Sequence, residues 1–210
     1  MIRVMVVDDH PIVAAGLLAG LAEESDIVIV GSAATIAQAQ SLAQSANPDV
    51  ILCDMQLGAE RGLDLLARLN RPAAPIIFFS SYDYPSYIRA ALDGGAAGYV
   101  LKSALLSEIA AAVRVVAGGG TAYAARHLRN ARTAPRMPSG RELEVIALVA
   151  RGSSNAEIGA ALSIDERSVE SHLRRLFDRY ATDSRTELST YATRQGWIDI
   201  NTIEPSGGNA

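Results

Sequence analysis

The chain has 210 residues, of which 49% are hydrophobic and 20% charged; this length allows one large or two small domains, and this balance excludes disordered, collagen-like and coiled-coil proteins. No apolar run reaches the roughly 18 residues of a membrane span, and the N-terminal apolar run is too short and too acidic for a signal peptide, so we expect a cytoplasmic protein with no membrane contact. Cys53 is the only cysteine, so we expect no internal disulfide. The net charge of −4 argues against a nonspecific nucleic-acid coat but permits a local surface that reads DNA.

The first 120 residues alternate short apolar strands with helices. The apolar runs predict strands at 2–7, 27–30, 50–53, 76–79 and 99–101. Helices are predicted between and after them, at 11–21, 36–46, 62–69, 84–92 and 105–117. Five β–α repeats indicate an α/β domain at 1–120, with a doubly wound, five-stranded parallel sheet, because crossovers between parallel strands are right-handed.

Residues 121–137 contain alanine, proline and four arginines but no acidic residue and no apolar period. We interpret this segment as a linker that is partly helical between residues 122 and 130. Two alternatives remain open at this point. The segment is either a helix that sets the spacing of two domains or a flexible tether.

The second half, 138–197, has no strand pattern but repeats the spacing Ser-x-x-Glu, which is typical of a helix start. The four instances begin at Ser139, Ser154, Ser163 and Ser184. Asp165 is an alternative cap for the third helix. Four short helices in this length predict a small all-α domain, and we expect the polar tail 198–210 to be disordered.

Polar side chains that suit a phosphate or a metal follow four of the predicted strands. Asp8 and Asp9 follow the first strand, Asp54 the third, Ser80 the fourth and Lys102 the fifth. Ligands of an open α/β sheet bind beyond the C-terminal strand ends, so we expect these side chains to converge. Two carboxylates at about 4 Å repel each other by about 4 kcal/mol at an effective dielectric of about 20. A hard divalent cation such as Mg²⁺ relieves that repulsion.

The same sheet edge offers a nucleophile and two groups that stabilise a phosphoryl group. Asp54, nearest the middle of the sheet, is the predicted nucleophile, because carboxylates form aspartyl phosphates. Lys102, the only lysine, is predicted to stabilise the phosphoryl oxygens, and Ser80 to donate a hydrogen bond to one. Capping of the following helix explains any single strand-end aspartate but not the whole set. We interpret His10 as a first-turn helix residue near solvent.

The order and spacing of these motifs resemble those of a known family. The stretches 6–10, 51–55, 79–80 and 98–102 are similar to the receiver domain of bacterial two-component response regulators, which has a flavodoxin-like fold. The stretches 141–145, 152–155, 157–158, 168–169 and 184–187, together with His172, are similar to the helix-turn-helix domain of the NarL/FixJ, or LuxR-type, class. The resemblance covers nearly all of the chain outside the linker and the tail.

The resemblance implies a phosphoacceptor and a metal site in the first domain. Asp54 is the implied phosphoacceptor, and Asp8, Asp9, Asp54 and the backbone carbonyl of Gln56 are the implied ligands of Mg²⁺, Asp8 through water. The chain departs from the family at Gly58, where proline is usual. Glycine predicts a looser loop there, which bears on phosphorylation lifetime and magnesium affinity.

The resemblance also implies the partners and the switch. Ser80 and Lys102 bind the phosphoryl group, and the rotamer of Tyr99 reports phosphorylation to the surface of the fourth and fifth helices. The phosphodonor is a phosphohistidine on a sensor histidine kinase. The protein is not an enzyme beyond slow hydrolysis of its own aspartyl phosphate, and its active form binds double-stranded DNA, we expect as a homodimer.

The predicted helix 166–180 supplies the surface expected to read DNA. Val169, Leu173, Leu176 and Tyr180 form its apolar stripe at helical spacing. The bland alternative is a solvated arginine face with intrahelical ion pairs only; the position of this helix in the motif favours recognition. The predicted DNA-binding residues are Ser154, Arg167, Glu170, Ser171, Arg174 and Arg175.

Two residues of this helix need separate interpretation. The family usually has a basic or neutral residue at Glu170, and we hypothesise that this carboxylate tunes specificity by accepting a hydrogen bond from cytosine N4. We interpret His172 as a packing or capping residue.

The sequence thus predicts a transcriptional response regulator switched by Mg²⁺-dependent phosphorylation of Asp54. The main alternative is a DNA-binding regulator that works without phosphorylation and has a ligand or protein partner at the receiver. An aspartate-nucleophile phosphatase needs a general acid and a substrate cap, and we find neither in the sequence. A flavin-binding protein is disfavoured because Asp8-Asp9 would repel the phosphate of the flavin.

Overall fold

Two structural units, Met1–Ala134 and Pro135–Ala210, make up the chain. The structure, a computed structural model, describes residues 1–58, 60–69 and 74–198. All but the first residue of the predicted tail at 198–210 lie outside the described residues. Among the described helices, none combines the length and the apolarity needed to cross a membrane.

A parallel sheet forms the centre of the first unit. Its six strands lie in the order β2-β1-β3-β6-β7-β8, and β4 and β5 form a separate antiparallel pair. All residues of β3 and β6 are buried, which requires cover on both faces of the sheet. The strands are β1 (Ile2–Val7), β2 (Ile27–Ala33), β3 (Val50–Asp54), β4 (Gln56–Leu57), β5 (Glu60–Arg61), β6 (Ile76–Ser80), β7 (Gly98–Leu101) and β8 (Ala122–Tyr123).

Helices flank this sheet. One core cluster joins Leu17 and Leu21 of the first helix, Ile109 and Val113 of the fifth, and apolar side chains of β1, β3 and β6. The predicted doubly wound α/β fold is therefore confirmed; the central sheet has one strand more than predicted, and the β4–β5 pair was not predicted. The helices are α1 (Pro11–Ala22), α2 (Ile36–Ala46), α3 (Gly62–Arg68), α4 (Pro85–Asp93), α5 (Leu106–Ala117) and α6 (Ala125–Thr133).

The structure differs from the expected linker at 121–137. Residues 122 and 123 form β8, which pairs with β7, and the following α6 packs against α4. The segment lacks an apolar period because α6 buries only one narrow stripe, formed by His127 and Ala131. Its arginines are exposed. Up to Ala134 the segment therefore belongs to the first unit, and only its last residues, from Pro135, belong to the second.

The regular elements among the described residues of the second unit are all helices, as predicted. Ser139 and Ser154 form capping boxes with the glutamates three residues later, and Ser184 accepts a hydrogen bond from the backbone N–H of Glu187. Asp165, the alternative to Ser163, caps the third helix. The helices are α7 (Gly140–Ala150), α8 (Asn155–Leu162), α9 (Glu166–Tyr180) and α10 (Arg185–Arg194).

A close approach between backbones fixes the turn that joins α8 to α9. A Cβ atom on Gly159 would lie 2.7 Å from the carbonyl oxygen of Ile164, so only glycine fits. Ser163 ends α8 in the left-handed region with φ of 54°. The predicted apolar stripe of α9 is confirmed, because its four residues are the buried residues of that helix. The opposite face of α9 is thereby left to the solvent.

Candidate functional site

The register of the sheet brings the predicted strand-end residues to one edge. Val7 pairs with Cys53, so Asp8 follows β1 beside Asp54, the last residue of β3. Asp54 in turn pairs with β6 just before Ser80, and Lys102 directly follows β7. Asp8, Asp54 and Ser80 are buried, and an aspartate is seldom buried unless a partner offsets its charge.

Lys102 lies between two of these carboxylates. Its Nζ donates to Asp8 Oδ2 at 2.6 Å and to Asp54 Oδ2 at 2.7 Å. Burial raises the pKa of the Asp54 carboxyl above its usual value, although Lys102 acts in the opposite direction. Burial alone would lower the pKa of Lys102, but its bonds to the two carboxylates raise it, so the ammonium stays charged. The pocket therefore holds a fixed cation against the predicted nucleophile.

Asp9 and His10 complete an acidic cluster beside Lys102. Ligand atoms of Asp8, Asp9, His10 and Asp54 all lie within 4.8 Å of one another. Oδ1 of Asp9 is buried and makes no hydrogen bond, although His10 Nδ1 lies 2.9 Å away. A buried carboxylate oxygen without a hydrogen-bond donor suits a cation, so these carboxylates fit a hard divalent metal. His10 is the exposed N-cap of α1, consistent with its interpretation as a helix-start residue near solvent.

The loop after Asp54 folds into the β4–β5 hairpin. The backbone N–H of Gln56 donates to Asp54 Oδ1 at 3.2 Å. Gly58, at the turn, has φ of 59°, in the left-handed region that glycine adopts readily and proline cannot. Gly62 was not predicted as a site residue; a Cβ atom there would lie 2.0 Å from the Asp54 carbonyl oxygen. A glycine between an exposed loop and a helix start was the only signal for it.

Within the described residues, neither Ser80 nor Tyr99 forms a hydrogen bond with Asp54. The Ser80 hydroxyl oxygen accepts from the backbone N–H of Tyr82 at 3.2 Å. The Tyr99 hydroxyl donates to the carbonyl oxygen of Tyr82 at 2.7 Å, with its ring buried. Burial raises the pKa of Tyr99, so its hydroxyl remains a donor. Both side chains are therefore bonded to the loop between β6 and α4.

The exposed face of α9 carries the predicted DNA-binding residues of that helix. Arg175 folds back along the helix, with Nε donating to the Ser171 carbonyl oxygen and a terminal nitrogen 3.1 Å from His172 Nδ1. Arg167 and Arg174 have no ion-pair partner among the described residues. Glu170 is exposed on the same face. Because these two arginines form no ion pair with a described residue, they argue against the alternative that the arginines of α9 make only ion pairs within the helix.

The predicted phosphate contact at Ser154 is already engaged within the protein. The Glu157 carboxylate accepts from the Ser154 backbone N–H at 2.6 Å and from its hydroxyl at 2.9 Å. A negative charge therefore lies at the start of α8, which opposes an anion there. Arg185 fixes this helix start further, donating to Asn155 Oδ1 at 2.9 Å and to the Ser153 carbonyl oxygen.

Two family models match the chain. The model of the response regulator receiver domain matches residues 4–114, and that of bacterial regulatory proteins of the LuxR family matches residues 139–192. The first match spans most of the sheet unit, including the acidic pocket. The second spans all of α8 and α9.

Curated relatives and solved structures match over nearly the whole chain. The transcriptional regulatory protein MctR of Rhizobium johnstonii is 32% identical over 94% of this chain and 95% of its own length. LiaR of Bacillus subtilis is 30% identical over 95% of this chain and 100% of its own length. The crystal structure of the response regulator ChrA of a heme-sensing two-component system matches with a TM-score of 0.55 at 33% identity, covering 94% and 98% of the two chains.

Proposed function

The chain belongs to the two-component response regulators with a receiver domain and a LuxR-type DNA-binding domain, and from this premise we propose that phosphorylation of Asp54 by a sensor histidine kinase controls its binding to DNA. It is a DNA-binding transcription regulator and not a classical enzyme. The observation that carries the proposal is the contact of Lys102 Nζ with Asp54 Oδ2 at 2.7 Å, inside a cluster of three carboxylates.

The acidic cluster supports Mg²⁺ as the cofactor. Asp8, Asp9, Asp54 and the Gln56 carbonyl would hold the ion, and the unbonded Oδ1 of Asp9 is the feature that fits it best. When bound, Mg²⁺ would offset the negative charge of the carboxylates and of the incoming phosphoryl group. Both oxygens of Asp8 already accept protein hydrogen bonds, from the backbone of His10 and from Lys102, which favours contact with the ion through water.

The residues of the pocket divide the phosphoryl transfer between them. A carboxylate oxygen of Asp54 attacks phosphorus, an oxygen–phosphorus bond forms, and the phosphorus–nitrogen bond of the donor histidine breaks. Lys102 stays charged and binds phosphoryl oxygens as a point charge. Ser80, now bonded to the loop, would turn to donate to a phosphoryl oxygen. Slow hydrolysis of the product by the protein itself is part of this proposal.

A small acyl phosphate tests this chemistry without the unknown kinase. With Mg²⁺, the wild-type chain should gain one phosphoryl group in intact-mass spectrometry, and Asp54→Asn should gain none. Asp93→Asn, an exposed carboxylate of α4 outside the pocket, is the matched control and should behave as wild type. No gain in the wild type would favour the alternative of a regulator that works without phosphorylation.

The DNA-reading surface is proposed to be α9, with Arg167 and Arg174 donating to phosphates or guanine edges in the major groove. Arg175, Ser171 and Glu170 complete this face. Ser154 keeps only a minor part in the proposal, because Glu157 already accepts its hydrogen bonds.

A homodimer is the proposed active form, and α1 supports it. This helix has no charged residue in its twelve positions, and Ile12 is 88% exposed. An apolar helix side in water is typical of an interaction surface. Sedimentation velocity of the phosphorylated chain should show a dimer that Ile12→Glu disrupts, whereas Leu128→Glu, an exposed leucine of α6, should leave it intact. A dimer that persists in Ile12→Glu would move the interface away from α1.

A further inference from the structure

The helix α6 covers one face of the receiver with a single narrow stripe. His127 and Ala131 are one helical turn apart, and both are buried, as is Ala134 at the C-terminal cap. The stripe packs against α4, while β8 ties the start of the segment to β7. The segment that leads to the DNA-binding unit is therefore held on the receiver at several points.

Polar and aromatic contacts hold both ends of α6. The His127 ring packs edge-to-face on the Tyr99 ring, with centroids 5.8 Å apart and an angle of 87°. His127 Nε2 lies 3.0 Å from Asp83 Oδ1. At the other end, Arg89 of α4 donates to the carbonyl oxygen of Ala134, and a cation there also suits the helix dipole. These contacts place the Tyr99 ring directly beneath the linker helix.

The partners of α6 are bonded to the loop that Ser80 holds. Ser80 Oγ accepts from the Tyr82 N–H, and the Tyr82 carbonyl accepts from the Tyr99 hydroxyl. Asp83, the partner of His127, is the next residue of that loop. A turn of Ser80 toward a phosphoryl group would remove its bond to Tyr82. The same step would therefore disturb both groups that contact His127.

We propose that α6 is a strap, clipped to the receiver by His127, that is released when Asp54 is phosphorylated; this rests on the proposed function. In the unphosphorylated state His127 fills the space against Tyr99 and ties the linker to the face formed by α4 and β7. Movement of the loop at Tyr82 and Asp83 removes the two contacts of the ring. Release turns a fixed connection to the DNA-binding unit into a flexible one.

Space beside His127 makes this movement possible without disrupting the core. A cleft of about 540 Å³ lies between α5, β8 and the first turn of α6, and Tyr99, Tyr123 and His127 all line it. Neither ring nitrogen of His127 makes a hydrogen bond in the part of the chain that the structure describes, although Nε2 lies 3.0 Å from Asp83 Oδ1. Burial lowers the pKa of His127, so the ring is packed in its neutral form and no buried cation needs compensation.

Coupling between the strap and the pocket must be reciprocal. If occupancy of Asp54 releases α6, then releasing α6 by substitution must strengthen binding at Asp54 by the same factor. A residue that only stabilises the fold has no such effect. Substitution of His127 therefore separates a switch from a structural contact.

Hydrogen exchange of the full chain with Mg²⁺ and beryllofluoride, a phosphoryl mimic, tests the strap. Bound beryllofluoride is counted by ¹⁹F NMR of the same sample. The α6 amides should exchange at least about fivefold faster once the site is occupied, the lower end of ordinary coupling between sites, while α2 stays unchanged. Occupied sites with unchanged exchange in α6 would overturn the strap alone. Absence of binding would overturn the proposed function and the strap together.

Substitutions give the second measurement. In His127→Ala, the α6 amides should exchange rapidly even without the mimic, and this variant should bind beryllofluoride at least about fivefold more tightly than wild type. Arg89→Gln, which removes the contact at the far end, should act in the same direction if the alanine variant folds poorly. Arg129→Ala, on the exposed side of α6, is the control and should match wild type. Faster exchange in α6 with unchanged affinity would show a structural contact only and overturn the proposal.

Discussion

The two charged sites of this regulator are built in opposite ways. In the receiver pocket, Lys102 lies between Asp8 and Asp54, and all three side chains are largely removed from water. On α9, Arg167 and Arg174 are exposed, and no described residue forms an ion pair with them. The charges of the first site are paired with one another within the receiver unit, whereas the arginines of the second site are available to pair with a partner molecule.

This difference determines how each site should respond to substitution. A buried charge that loses its partner keeps its desolvation cost, so the members of the pocket depend on one another. Exposed arginines are hydrated individually and act on a polyanion almost independently. We therefore expect large, cooperative effects in the pocket and smaller, additive effects on α9.

Substitution of Lys102 should give the largest effect. Lys102→Met leaves two buried carboxylates without their cation and should lower the free energy of unfolding by about 3 kcal/mol near neutral pH without divalent ions. Burial already raises the pKa of Asp54, and loss of the lysine raises it further. The native state then binds more protons than the unfolded state, so the deficit should shrink as the pH falls. Urea unfolding at neutral and mildly acidic pH measures both effects.

The chain offers a matched control on its surface. Arg114 also contacts two carboxylates, Glu24 and Asp26, each at 2.6 Å, but in a half-exposed setting. Arg114→Met should cost far less than Lys102→Met, because surface ion pairs contribute little. Equal losses for the two variants would show that burial is not what distinguishes the pocket.

The pocket was accessible to sequence reasoning because its signals are local. Each strand ends where an apolar run ends, and the strand-end rule then brings Asp8, Asp54 and Lys102 together. The contacts of Lys102 with both carboxylates follow the same logic. The helix caps at Ser139 and Ser154 were readable for the same reason, since a cap involves residues only three positions apart.

The contacts of the strap could not be predicted from the sequence, because they join elements that are distant along the chain. His127 stands among arginines in a segment without apolar period, and only the packing of α6 on α4 buries it. Gly62 is a similar case, since its contact is with the backbone of Asp54 in another element. Ser154 is a different case: its capping box with Glu157 was predicted and is confirmed, whereas its part in DNA binding stays a prediction.

Substitution of Arg174 sharpens the comparison on the DNA side with a smaller effect. Arg174→Ala should weaken binding about tenfold, or about 1.4 kcal/mol, on every sequence if it contacts phosphate, and reduce the salt slope by about one. Fluorescence titration at several salt concentrations measures both, with operator DNA found by genomic footprinting. Arg194→Ala, an exposed arginine in the last turn of α10, is the control. An equal loss in that variant would mean that net charge, not the α9 face, governs affinity.

Glu170 should give the smallest effect, and one of a different kind. Its carboxylate lies on the exposed face of α9 that we propose to approach DNA. Repulsion from phosphates would oppose binding there, whereas a hydrogen bond from cytosine N4 would favour one base. If the carboxylate accepts this hydrogen bond from cytosine N4, Glu170→Ala should reduce discrimination at one base pair by about 1 kcal/mol and leave discrimination at other positions unchanged. Competition titration with single-substituted operators measures this. Asp178→Ala removes the same charge from the exposed side of α9 and should shift all sequences equally, by electrostatics alone. If Glu170→Ala binds every sequence more tightly, the carboxylate acts only as a repulsive charge, and α9 reads the DNA sequence through its arginines only.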